Sequence, residues 1–118
     1  MKKVNQTIDF VEFPIQDTQE IAEVKRFYGT AFGWRFQDWG TDYFDTTSSG
    51  MGCGFNADTK HRPGMPLVVL YTEDLAEAKA KVLSAGGKLK RDIFSFPGGR
   101  RFHFTDPCGN ELAIWSDK

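Results

Sequence analysis

The spacing of hydrophobic residues along the chain predicts two amphipathic helices. Apolar residues at helical spacing follow Asp17 and end at Gly33, and a second such run follows Asp74 and ends at Gly86. Each aspartate has a glutamate three residues later, which is the pattern of an N-cap with a capping box. A glycine directly after a helical run is typical of a helix C-terminus, because it tolerates a positive φ.

Strand patterns occupy most of the remaining chain. An apolar strand precedes each helix, at Ile8–Phe13 and Leu67–Thr72. Three shorter segments follow each helix: Trp34–Phe36, Tyr43–Thr47 and Met51–Asn56 in the first half, and Lys88–Lys90, Arg100–Thr105 and Glu111–Ser116 in the second. Pro107 and Gly109 predict a tight turn between the last two strands, because proline presets φ and glycine tolerates positive φ.

The element order βαβββ therefore occurs twice, which predicts an α+β fold in a single domain over residues 1–118. The units are expected at about 5–57 and 66–117, with a linker over 58–65 that contains glycine and proline. One helix covers only one face of a four-stranded sheet. We therefore expect two units, paired within a chain or across a dimer, to form a cupped eight-stranded mixed sheet with helices on its outer face. The concave face could enclose a ligand.

The amino-acid composition and charge exclude several classes of binding partner. The net charge is −1 and the chain has no long basic run, which argues against nucleic acid and anionic membranes as partners. No apolar run approaches membrane-spanning length and the N-terminus has no secretory apolar segment, so a cytoplasmic location is expected. Cys53 and Cys108 are far apart in sequence, and we expect reduced thiols rather than a disulfide or a zinc site.

Several short motifs occur in the order and spacing of a known protein family. They are Phe13-Pro14-Ile15-Gln16-Asp17, Phe27-Tyr28, Phe32-Gly33-Trp34, Asp74-Leu75-Ala76-Glu77-Ala78, Ala85-Gly86-Gly87 and Asp106-Pro107-Cys108-Gly109-Asn110. On these residues the chain resembles the vicinal oxygen chelate superfamily, which includes glyoxalase I, bleomycin-resistance proteins and extradiol dioxygenases. The resemblance covers nearly the whole chain and implies the paired βαβββ fold.

The resemblance also implies where a metal would bind. Metal-dependent members take ligands, usually His or Glu, from the first and last strands of each half. Those positions fall on Phe10, Leu67 and Ala113 here, and the strand over 51–56 contains no His, Asp or Glu. These side chains offer a divalent cation no imidazole or carboxylate. We therefore expect no metal site and no cofactor.

Strand alternation predicts which residues face the cup. The predicted ligand-binding residues are Phe10, Leu67, Val69, Tyr71, Arg101, Ala113 and Trp115. Glu12 and His103 are predicted on the same face, at neighbouring inward positions, where a carboxylate beside an imidazole could act as acid and base near neutral pH. They are the candidate catalytic residues. In the alternative interpretation, Glu12 pairs with Arg101 or a backbone amide, and His103 is a partly exposed strand residue.

Three functional hypotheses follow. The first is metal-independent binding of a small, partly apolar or aromatic molecule in the cup. The second is a glyoxalase-like lyase or isomerase that uses a metal or the Glu12 and His103 pair. The third is a dimerising interaction module without a ligand. A homodimer is expected because strand edges and aromatic surface need cover.

Overall fold

The computed structural model describes residues 2–118, and within them the chain forms two helices and eight strands. The helices are α1 (Ile21–Phe32), which follows a short 3₁₀ turn at Thr18–Glu20, and α2 (Leu75–Ser84). The strands are β1 (Thr7–Pro14), β2 (Gln37–Asp38), β3 (Tyr43–Thr46), β4 (Gly52–Asn56), β5 (Leu67–Tyr71), β6 (Lys88–Phe96), β7 (Gly99–Thr105) and β8 (Glu111–Ser116).

The strands form a mixed sheet in the order β2-β3-β4-β1-β5-β8-β7-β6. β1 pairs with β4 in parallel, and β5 pairs with β8 in parallel, whereas the hairpin neighbours pair antiparallel. The βαβββ order occurs twice, as the sequence predicts, and the α+β fold class is confirmed. The chain divides into two compact units. Unit 1 contains residues 10–66, and unit 2 contains residues 2–9 and 67–118.

In unit 1 the predicted capping residue, Asp17, caps the 3₁₀ turn that precedes α1. The Asp17 carboxylate accepts a hydrogen bond from the Gln19 amide at 2.9 Å, and the Glu20 side chain accepts one from the Asp17 amide at 3.2 Å. Gly33 ends α1 in the left-handed region, with φ of 74°. The unit-1 core contains mostly aromatic side chains from α1, β1, β3, β4 and the segment between α1 and β2. Its members include Phe13, Ile21, Val24, Tyr28, Trp34, Phe36, Phe44 and Phe55.

In unit 2, Asp74 is the N-cap of α2 itself, and its side chain accepts a hydrogen bond from the Glu77 amide at 3.0 Å. The core of this unit is smaller and mainly aliphatic. It contains Leu70, Leu75, Ala78, Val82, Ile93, Phe102, Phe104 and Ile114. The same secondary-structure order is thus filled mostly by aromatic side chains in unit 1 and mostly by aliphatic ones in unit 2.

The turn between β7 and β8 has the predicted geometry. Gly109 has a φ of 87°, and the Asp106 amide donates to the Asn110 carbonyl at 2.9 Å. Asn110 donates to the Asp106 carboxylate through its side chain and its amide, and these bonds hold the pKa of Asp106 below its ordinary value. Hydrogen bonds to the charged form of a carboxyl favour that form. Hydrogen bonds between Asp106 and Asn110 thus close the turn on both sides.

Two predicted strands differ from the structure. Trp34–Phe36 is not a strand, and β2 contains only Gln37 and Asp38. Trp34 stacks on Tyr28 with ring centroids 4.9 Å apart, so the segment is held by aromatic packing rather than by a strand ladder. β6 extends to Phe96, well beyond the predicted Lys90. Its pairing with β7 is irregular between Leu89 and Phe94, and such bulges break the period-two pattern from which strands are predicted.

No helix within residues 2–118 is both long enough and apolar enough to cross a membrane.

Candidate functional site

Two transverse rows of side chains lie on the unit-2 strands, on the face opposite α2. Residues paired in register project from the same face of a sheet. The rows run across β5, β8 and β7 as Val69–Ala113–His103 and Tyr71–Trp115–Arg101. All of these are buried except Trp115, which is half-buried, and buried Leu67 precedes Val69 on the same face. The structure therefore brings together six of the predicted ligand-binding residues and His103.

The opposite face of the same strands packs on α2. Phe102 and Ile114 are buried against Leu75 and Ala78 of the helix. Because strand residues alternate between faces, this packing fixes the two rows on the face away from α2. A shift of one residue in either strand would reverse the two sets and expose the apolar core.

His103 contacts a carboxylate that the sequence does not pair with it. Its Nδ1 lies 2.9 Å from Oε2 of Glu111, at the start of β8. The His103 side chain is 4 % exposed and the Glu111 side chain is 35 % exposed. The carboxylate favours a proton on Nδ1, either in the neutral ring or in the imidazolium. His103 is therefore a buried residue, which contradicts the alternative that it is a partly exposed one.

β6 adds an aromatic and cationic edge to the two rows. Arg91 is in register with His103, and Phe94 is in register with Arg101. The guanidinium carbons of Arg91 and Arg101 lie 4.4 and 5.5 Å from the centroid of the Phe94 ring, which also stacks on His103 at 5.9 Å. Stacking on an aromatic face orients a planar guanidinium. Sequence reasoning missed Phe94 because β6 was expected to end at Lys90.

Hydrogen bonds hold the aromatic end of the second row. Tyr71 donates to Asp117 at 2.6 Å, and Trp115 donates through Nε1 to Asp9 at 3.0 Å. The hydrogen bond to Asp117, with partial desolvation and nearby acidic charge, raises the pKa of Tyr71 to about 12. The same bond lowers the pKa of the Asp117 carboxyl. The two rings meet edge to face with centroids 5.3 Å apart.

Unit 1 holds the second predicted catalytic residue, Glu12, whose polar partners within this unit come from β3 and β4. Its carboxylate is buried and accepts hydrogen bonds from the Tyr43 hydroxyl and the Asn56 amide, each at 3.2 Å. Gly54 is in register with Glu12 and leaves room for the Tyr43 ring, because a Cβ there would lie 2.0 Å from the hydroxyl oxygen. Sequence reasoning did not identify Tyr43 or Asn56, whose spacing from Glu12 carries no local signal.

The candidate residues thus lie in both units. Glu12 and Phe10 lie on β1 within unit 1, and His103 lies on β7 within unit 2. The coupling between Glu12 and His103 remains a prediction.

The cysteines have different surroundings. Cys53 is buried in the unit-1 core and Cys108 is exposed at the β7–β8 turn, and both are free thiols. Burial, together with the negative charge of Asp45, raises the pKa of Cys53 to about 11. A thiol that stays protonated at neutral pH is a poor nucleophile.

The sequence matches a known protein family over most of its length. A family model described as "Glyoxalase/Bleomycin resistance protein/Dioxygenase superfamily" matches residues 8–114. The chain belongs to this superfamily. No curated protein matches the sequence.

Solved structures show the same fold at low sequence identity. One, described as an NAD-dependent benzaldehyde dehydrogenase from Legionella pneumophila, has a TM-score of 0.75 and 13 % identity, covering 92 % of this chain and 98 % of that chain. A superfamily member from Vibrio splendidus 12B01 has a TM-score of 0.64 and 12 % identity, with coverage of 91 % and 96 %. A Mn(II)-bound glyoxalase from Novosphingobium aromaticivorans has a TM-score of 0.61 and 19 % identity, covering 93 % of this chain but 38 % of that chain.

The superfamily resemblance raises the question of a metal. The positions to which it assigns ligands hold Phe10, Leu67 and Ala113, whose side chains have no donor atom. Within residues 2–118, no three His, Cys, Asp or Glu side chains are arranged so that they could hold a metal ion. The residues at the superfamily's ligand positions do not fit a divalent cation.

Proposed function

We propose that this superfamily member binds a small, partly apolar or aromatic molecule, without a metal, on the unit-2 sheet face opposite α2. The observation that carries the proposal is the combination of the two side-chain rows. Apolar and aromatic groups surround Arg101 and the His103–Glu111 pair, which supply the polar contacts. Small-molecule sites usually combine an apolar lining with a few fixed polar groups.

The polar groups suit a planar ligand with an anionic or acceptor group. Arg91 and Arg101 are both stacked on Phe94, which orients their guanidinium groups. An oriented guanidinium can donate two parallel hydrogen bonds to a carboxylate. Trp115 and Phe96, with centroids 6.3 Å apart, add aromatic surface next to Arg101. These contacts favour an aromatic or apolar body that carries one acidic group.

Metal independence is part of the proposal. It is supported by the side chains of Phe10, Leu67 and Ala113, which cannot coordinate a cation. We expect elemental analysis, after dialysis against chelator and re-addition of Zn²⁺, Ni²⁺ or Mn²⁺, to find no equivalent of tightly held metal. One equivalent per chain that is lost on substitution of a residue in the two rows would contradict the proposal.

One contact favours a second candidate function, that of a lyase or isomerase. The Glu111 carboxylate can hold the His103 imidazole in one orientation and tautomer, as an acid–base residue requires. This candidate keeps His103 and Glu12 as the predicted catalytic residues and adds Glu111 as a positioning residue. The difference from simple binding is that the bound molecule is released chemically changed.

A third candidate, an interaction module without a ligand, is supported by exposed aromatic surface. Phe27 and Phe32 on α1 are 55 % and 63 % exposed and contact each other edge to face. We propose that the protein is a homodimer in the cytoplasm, whichever function holds. The exposed rings support the dimer, because contiguous apolar surface often marks an interface.

The binding proposal is tested with purified protein. Native mass spectrometry finds any molecule that stays bound, and the aromatic sulfonate dye 8-anilinonaphthalene-1-sulfonate serves as a probe for the site. We expect Arg101→Met to weaken dye binding, whereas Arg100→Met, on the other face of β7, leaves it unchanged. If Arg101→Met fails to fold, His103→Gln is used in its place. Glutamine keeps a hydrogen-bond donor toward Glu111. Equal dye binding by all folded variants would overturn the proposal.

A further inference from the structure

The chain makes a tight turn just before β1, in the part that belongs to unit 2. The turn is at Asn5 and Gln6, and Gln6 has a φ of 61°. This is the left-handed region, which a residue other than glycine occupies only where the surrounding contacts hold it there. The Thr7 hydroxyl donates to the Val4 carbonyl at 2.8 Å and closes the turn.

Hydrogen bonds anchor this turn to the end of β5. The Gln6 amide donates to the Tyr71 carbonyl at 2.7 Å. The side-chain oxygen of Asn5 accepts hydrogen bonds from the Glu73 amide at 2.8 Å and from the Thr72 hydroxyl at 3.2 Å. Thr72 is buried, so part of the anchor is shielded from solvent. The turn is therefore fixed to unit 2.

The residues before the turn, 2–4, form an exposed arm that reaches Trp115. The Lys3 ammonium lies 5.9 Å from the centroid of the Trp115 ring and 3.8 Å from the Asp117 carboxylate. Trp115 belongs to the second row of the proposed site, and its indole N–H is held by Asp9. Lys3 thus covers the ring of a residue that the ligand is proposed to contact.

The contacts of the arm are weaker than those of the anchor. The Lys3 and Asp117 side chains are both more than one third exposed, and ion pairs of this kind stabilise little and are screened by salt. A cation over an exposed aromatic ring is also a weak contact. The arm can therefore leave Trp115 while the turn at Asn5 and Gln6 stays in place.

We propose that the arm is a salt-sensitive cover for Trp115. It closes when Lys3 contacts the ring and Asp117, and it opens when salt screens these contacts, which exposes the face of the indole. Its part in ligand entry rests on the proposed function, because a ligand ring and the Lys3 ammonium would compete for the same face. The cover itself requires no ligand.

The test uses an uncharged, water-soluble nitroxide as the probe and the full chain labelled with ¹⁵N. Paramagnetic relaxation of the Trp115 indole signal, which Trp115→Phe identifies, measures how closely the probe approaches. We expect this relaxation to increase from about 0.01 M to about 1 M NaCl, because the Debye length falls from about 30 Å to about 3 Å. Trp39 is 59 % exposed and serves as the internal reference, whose relaxation should stay constant.

A pair of variants at neighbouring lysines isolates the contact. At low salt, Lys3→Glu should increase the relaxation of Trp115 by about twofold, because a carboxylate there is repelled by Asp117 and is not attracted to the ring. Lys2→Glu is the matched control, since Lys2 is the adjacent exposed lysine and the net charge changes equally. We expect this control to behave like the parent.

Equal relaxation of Trp115 in the two variants would overturn the proposal. A parent signal that does not change with salt would also overturn it. Failure of the dye to bind in the earlier experiment would overturn the proposed function alone, because the nitroxide measurement needs no ligand.

Discussion

His103 Nδ1 lies 2.9 Å from Glu111 Oε2, although the two residues are on different strands, on either side of the 106–110 turn. The imidazole is almost fully buried and the carboxylate is at the edge of solvent. A carboxylate at this distance accepts a hydrogen bond from Nδ1 and holds the ring in one orientation. It is the relationship on which both the binding and the acid–base hypotheses depend.

The first prediction tests that contact. We expect Glu111→Leu to shift the imidazole proton from Nδ1 toward Nε2, which ¹⁵N spectra of the ring nitrogens report. The variant should also lose about 1–2 kcal/mol of unfolding free energy, since a partly exposed charge-assisted hydrogen bond is removed. Glu23→Leu, on exposed α1, is the control. An unchanged His103 spectrum in Glu111→Leu would contradict the contact between His103 and Glu111. The same measurement on Glu12→Gln tests whether the charge of Glu12 affects His103.

The second prediction concerns the polar cluster of unit 1. Gly54→Ala should destabilise the protein by about 1–3 kcal/mol, because the new Cβ collides with the Tyr43 ring and displaces its hydroxyl from Glu12. Urea unfolding of the variant and the parent measures the difference. Gly64→Ala is the control, because no atom lies within 4 Å of a Cβ at that position. Equal stability of the two variants would show that Tyr43 is not packed over Gly54.

The third prediction concerns alkaline pH. Tyr71 has a folded-state pKa of about 12, above the ordinary value of 10.0. A raised folded-state pKa means that its contribution to stability is fully present below pH 10 and is lost as the pH rises through about 12. Ultraviolet titration should show one tyrosine that ionises late. This late ionisation should be absent in Tyr71→Phe and should occur at lower pH in Asp117→Asn. An unchanged titration in Asp117→Asn would show that the hydrogen bond to Asp117 does not raise the pKa of Tyr71.

The fourth prediction separates the two thiols. At pH 8, iodoacetamide should alkylate Cys108 at least about tenfold faster than Cys53, because Cys53 is buried and its thiolate is disfavoured. Peptide mass spectrometry measures both rates in one sample. In denaturant the two rates should become similar. Equal rates in the native protein would mean that Cys53 is not in the unit-1 core.

The fifth prediction concerns assembly. We expect light scattering to give a mass of about twice the 13.4 kDa chain at tens of micromolar. Phe27→Ser combined with Phe32→Ser should shift the protein toward monomer, whereas Leu83→Ser, at an exposed position of α2, should not. A parent protein that stays monomeric at these concentrations would rule out the homodimer.

The sequence by itself determined the element order and the faces of most strands. The caps at Asp17 and Asp74, the glycine after α1 and the Asp106–Asn110 turn depend on local backbone chemistry, which neighbouring residues specify. Alternation placed Arg101, His103 and Trp115 on one face for the same reason, since the period of a strand is a property of its backbone. The family resemblance came from the order of these same motifs.

Only the tertiary structure decided which side chains meet. The contacts of His103 with Glu111, and of Glu12 with Tyr43 and Asn56, join residues whose spacing in sequence has no fixed meaning. The bulges of β6 brought Phe94 beside Arg101, although they erase the pattern by which the strand would be predicted.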